Sequence, residues 1–124
     1  MSTQSEEIKK LLRDLEIKTN GVEASAVIST QGLPICSAMP PEVDEGVIAA
    51  MSAAILGVGE RALEELVRGK MTRVLVEGGD GAIIIMETGS GAILTVLAKK
   101  NTNLGLVFMV MKQAAKKIAD ILKT

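Results

Sequence analysis

The chain has 124 residues, 48% of them apolar, and a net charge of −1 at pH 7. That length sustains one domain (residues 1–124) with a real core and excludes two, and the near-neutral charge excludes a global field drawing it to nucleic acid or acidic lipid. With no His, Trp or Tyr, one Phe and one Cys, the chain lacks the commonest general base and metal ligand, the stacking platforms of single-strand nucleic-acid binders, and any internal disulfide.

The polar, acidic N-terminus lacks a signal-peptide pattern. The apolar runs 47–59 and 104–111 fall short of the ~20 residues that a bilayer span needs. A cytoplasmic protein without membrane insertion is expected.

Thr3 and Glu6 have capping-box spacing ahead of Ile8, Leu11, Leu12 and Leu15, which predicts a helix over 4–18 that stops at Asn20-Gly21. Residues 24–30 and 33–38 read as a hairpin turning at 30–32, with Pro34 confining the second strand to an edge. The 39–41 stretch breaks the chain before a long helix over 43–68, with acidic residues near Asp44 at its start and Gly69 as its C′ residue.

That helix is apolar all round in its first half. The arc of Val47, Met51, Ile55, Val58, Ala62 and Leu66 is expected to face the core. The opposite arc, with Ala49, Ala53, Leu56 and Gly57, carries small or apolar residues where a solvated helix would carry charge. It is expected to meet a second helix.

Strands over 72–77, 82–87 and 92–98 follow, separated by glycine turns. Two of them carry unbroken apolar runs, Ile83–Met86 and Ile93–Leu97, so helices should cover both faces of the sheet. The last helix runs over 104–122 from an Asn cap, with Leu104, Phe108, Met111, Ala115, Ile118 and Leu122 inward. Leu106, Met109 and Val110 are expected to project away from that stripe. The strand over 92–98 should pair with 24–30, leaving 72–77 as an unguarded second edge. Arg73, Val74, Leu75 and Val76 on that edge, with the small-faced arc, form the expected dimer interface across a two-fold axis.

The order α-β-β-α-β-β-β-α, the stretch Val74-Leu75-Val76-Glu77-Gly78-Gly79, and Asn103-Leu104-Gly105 leading into the last helix resemble the Roadblock family of dynein-light-chain-type domains. The resemblance spans nearly the whole chain and rests on diffuse apolar and turn positions. It implies an α/β (α+β sandwich) fold: a five-stranded antiparallel sheet, the middle helix on one face and the terminal helices on the other. It also implies dimers that pair their third strands and pack their middle helices together. Members of the family are adaptors and regulators of small Ras-like GTPases, and the MglB-type branch accelerates GTP hydrolysis on its partner. The chain looks like a minimal, stand-alone prokaryotic-style member.

Other readings are weaker. The glycine clusters lead into strands and lack the helix N-terminus that would hold phosphate. Cys36 has no partner to lower its pKa and reads as a small buried hydrophobe. Glu60, Glu64 and Glu65 beside Arg61 and Arg68 read as surface pairs. No catalytic residue, cofactor or metal site is expected. The expected protein is a homodimeric adaptor for a small Ras-like GTPase, either stimulating its hydrolysis or scaffolding it. Leu106, Met109, Arg61 and Arg68 are candidate partner contacts. The alternative is a small-ligand sensor of similar sandwich shape.

Overall fold

The computed structural model describes residues 3–123. Its elements in chain order are α1 (Gln4–Lys18), β1 (Val22–Ser29), β2 (Pro34–Ala38), α2 (Glu45–Glu65), β3 (Val74–Gly78), β4 (Gly81–Glu87), β5 (Ala92–Lys99) and α3 (Leu104–Leu122). The five strands form one antiparallel sheet in the order β2-β1-β5-β4-β3. The meander therefore joins the hairpin through β5, and β2 and β3 are the edges, as their sequences require.

Each helix begins on a side-chain cap. Thr3 Oγ1 accepts from the Glu6 N–H at 3.1 Å, Asp44 Oδ1 from Val47 at 3.1 Å, and Asn103 Oδ1 from Leu106 at 3.2 Å. Each bond satisfies an N–H that the helix itself leaves open. The end of α2 departs from expectation. Val67, not Gly69, is its C′ residue. The Arg68 N–H donates to the Leu63 carbonyl at 2.8 Å and the Val67 N–H to Glu64 at 3.2 Å. This is a Schellman pair, and it places Val67 at φ 53, a region that β-branched residues avoid.

The sheet is covered unequally. On one face α1 and α3 build the larger core, around Ile8, Leu12, Val96, Val107, Met111 and Ile118. Contacts place α1 over β1 and β2, and α3 over β4 and β5. On the other face α2 alone covers a smaller core that includes Ile28, Ala49, Leu56, Ile85 and Ile93. A helix is ~10 Å across and five strands at ~4.8 Å spacing are roughly twice as wide. One helix therefore cannot cover that face.

In α3 the inward stripe is rotated from the expected one. Val107, Val110 and Ala114 are buried with Met111, Ala115 and Ile118, while Leu104, Phe108 and Leu122 lie at its margin. Val110, expected to project outward, instead lies beside Leu11, Asp14 and Leu15 of α1, because α1 covers that flank. Ser25 donates to Glu16 Oε2 across the α1–β1 contact at 2.6 Å. Burial pushes the Glu16 carboxyl up, against the opposing pull of Ser25 and Arg13. Cys36 is buried, its thiol 3.3 Å from the Ser5 carbonyl.

Candidate functional site

The expected orientation of α2 is reversed. Ala49, Ser52 and Leu56 are buried against the sheet, at 0%, 2% and 3% exposure. The arc expected to lie inward is open instead, with Val47, Met51, Val58 and Leu66 all exposed. The reason is chemical. Both arcs of the helix are apolar, so hydrophobicity alone cannot choose between them. The close approach to β1 and β5 selects the smaller residues, and the Thr95 hydroxyl donates to Ser52 Oγ at 2.9 Å. Ala49 and Leu56 therefore cannot contact a second subunit. Ala53 is half-buried, and Gly57 is exposed on the outer flank.

Two contacts fix the roll of α2. On one flank Gly59 faces β3, where an added Cβ would lie 2.8 Å from Met71 Cε and 3.4 Å from Val74 Cγ2. On the other flank the β1–β2 turn approaches, with the Gly32 Cβ position 3.6 Å from both Ala50 Cα and Ala53 Cβ. At 100° per residue the open stripe of Val47, Met51, Ile55, Val58, Ala62 and Leu66 then points away from the sheet and toward the β3 edge. Ile55 is half-buried at the inner margin of that stripe.

The expected β3 residues divide between the two sheet faces. Val74 packs into the α2-side core, so Val76, two residues on, shares that side, and Leu75 lies on the α3 side. Leu75 and Val76 are each partly open, at 38% and 41%. Arg73 lies over the Phe108 ring, 4.3 Å from its centroid. Among the described residues the outer edge of β3 has no strand partner. Open apolar helix face and open strand edge thus lie on one flank of the molecule.

The four expected partner contacts are not brought together. Arg61 and Arg68 belong to α2 and the turn after it, on one side of the sheet, with Arg61 paired to Glu65 at 3.6 Å. Leu106 and Met109 belong to α3, on the other. Leu106 packs against the α1–α3 core and Met109 is exposed.

A shallow cleft of about 850 Å³ between the end of α2 and the β4–β5 turn is lined by Glu60, Glu64, Glu87, Leu63 and Met71. Desolvation, then the charge of Glu87 and a hydrogen bond with it, hold the Glu60 carboxyl above the usual range. Sequence reading missed this pair because the two glutamates meet only through the packing of α2 on β4.

The Roadblock/LC7 domain profile matches residues 8–98. The chain belongs to the Roadblock/LC7 family. An uncharacterized protein of Methanocaldococcus jannaschii, MJ1340, is 38% identical over 111 residues, covering 90% of this chain and 96% of its own length. Among solved structures, a Roadblock/LC7 domain from Streptomyces avermitilis superposes with a TM-score of 0.88 at 20% identity, over 94% of this chain and 98% of that one. Myxococcus xanthus MglB superposes with a TM-score of 0.86 at 20% identity, over 94% and 95% of the two chains. At these identities the superpositions establish the fold alone. α2 is long and apolar enough by length and composition to cross a bilayer, although its uncharged run 47–59 was expected to fall short, and little of the helix is buried. That low burial measures the open stripe.

Proposed function

We propose that this Roadblock/LC7 protein is a homodimeric, cytoplasmic adaptor that binds a small Ras-like GTPase on a surface built from both subunits. One observation carries the assembly half of the reading. The open stripe of α2 and the unpaired edge of β3 face the same flank, so a single two-fold axis perpendicular to the sheet and beside β3 would cover both. Antiparallel pairing of β3 with its copy would satisfy the free backbone groups of the edge, and the two stripes would meet above the enlarged sheet. The interface residues are then Val47, Met51 and Val58 of α2 and its C-cap Leu66, with Arg73 just before β3 and Val74, Leu75 and Val76 of β3.

The GTPase half rests on family membership and on the fold shared with MglB. The protein would contribute no nucleophile, base or cofactor of its own. If it accelerates hydrolysis, it does so by ordering the partner's catalytic residues. Single-turnover GTP hydrolysis by each Ras-like protein of the same genome, measured with and without this one, tests the reading. A change in rate or nucleotide-dependent binding for one of them is expected. No binding and no rate change for any of them would leave the adaptor without its partner.

A further inference from the structure

On the α3 side of the sheet a cleft of about 450 Å³ runs between the β3 edge and α3. Its apolar floor is Met86, Phe108, Ala115 and Ala119, and Arg73, Lys112 and Lys116 line its walls with Asp120. Glu87 borders it too, but strand alternation sets its side chain on the α2 side with Ile85, opposite Met86. Three cations therefore face one carboxylate. Among the described residues the only ion pair is Arg61–Glu65, so none of the three cations is neutralised by contact. Arg73 is held instead by the Phe108 ring, a cation–π contact that fixes its guanidinium over the cleft.

We infer that this cleft is the docking site of an acidic amphipathic helix from a partner protein. The helical form rests on the dimer reading above. With α3 over β4 and β5 and strands ~4.8 Å apart, the two α3 helices of a dimer joined at β3 would lie roughly 20 Å apart across bare β3 strands. That gap is one helix of ~10 Å diameter wider than direct helix–helix contact. Its floor includes the half-exposed Leu75. An apolar stripe would seat on Leu75 and Phe108, and flanking carboxylates would meet Lys112 and Lys116 from either subunit. An extended strand is the poorer occupant, because the dimer uses the free edge of β3.

The test uses the full-length protein and two designed 20-residue helical peptides with the same Leu stripe, one flanked by Glu and one by Lys. Binding is followed by fluorescence anisotropy, with amide chemical shifts of β3 and α3 to locate it and sedimentation of the same samples to give the oligomeric state. The Glu peptide is expected to bind, to shift Leu75, Phe108 and Lys112, and to weaken at least tenfold with Lys112→Glu plus Lys116→Glu, both exposed positions. The Lys peptide is expected to bind at least tenfold more weakly. Equal binding of both peptides, no binding, insensitivity to the double substitution, or binding to anionic vesicles that matches the Glu peptide would each overturn the inference. Sedimentation as a monomer would overturn the dimer reading separately. A dimer that ignores the Glu peptide would overturn only the docking inference.

Discussion

The Thr95 hydroxyl on β5 donates to Ser52 Oγ on α2 at 2.9 Å, with both side chains buried. This bond marks which side of an all-round apolar helix faces the sheet. Removing one partner strands the other's hydroxyl in the core, whereas removing both leaves an apolar contact of similar shape. Ser52→Ala and Thr95→Val should each cost about 1–2 kcal/mol in urea unfolding, and the double substitution less than their sum. Full additivity would mean that the two hydroxyls are not coupled.

The two arcs of α2 should respond oppositely to charge. Leu56→Glu buries a carboxylate without a partner, and the chain should fail to fold or collect in the insoluble fraction. Val58→Glu, at a position 72% exposed in the single subunit, should leave helix content and the folded core intact. Circular dichroism and solubility of the two variants decide the orientation, and the reverse pattern would contradict it.

Much of the fold was legible because local signals agreed. The Thr3 cap, the asparagines at 101 and 103, the glycine turns and the apolar runs of β4 and β5 each placed an element. Pro34 marked one sheet edge. The orientation of α2 was not legible, since Val47, Met51 and Val58 are as apolar as Leu56. The choice was made by close packing and by the Ser52–Thr95 bond, which joins residues 43 positions apart. Glu60 with Glu87, and Arg73 with Phe108, were hidden for the same reason. The residues of each pair meet only after the helices have been laid on the sheet.

Val67 carries backbone strain at the end of α2. Its φ of 53 is a conformation that costs an L-residue about 1–2 kcal/mol, and glycine avoids that cost while losing more freedom on folding. Val67→Gly should stabilise the protein by about 0.5–1 kcal/mol, read as a rise in Tm. A fall in Tm would show that the exposed isopropyl group makes a contact in the assembled protein.

Glu60 should make stability fall as pH rises through its titration. Its carboxyl is held above the unfolded value by desolvation and by Glu87, so the folded chain binds the proton more tightly than the unfolded one. The destabilisation is absent below the unfolded pKa and complete above the raised folded one. Because Glu60 is exposed, the effect is on the scale of a screened surface pair, about 0.3 kcal/mol. Glu60→Gln should raise Tm slightly at pH 7 and leave it unchanged at pH 3.

The proposed interface joins the open stripe of α2 to the free edge of β3. Sedimentation equilibrium at micromolar concentration, on the unmutated protein and on Val58→Glu, tests it most directly. Twice the 13.0 kDa chain mass is expected for the first and a folded monomer for the second. A stable monomer of the unmutated protein, or a Val58→Glu dimer of undiminished affinity, would contradict it.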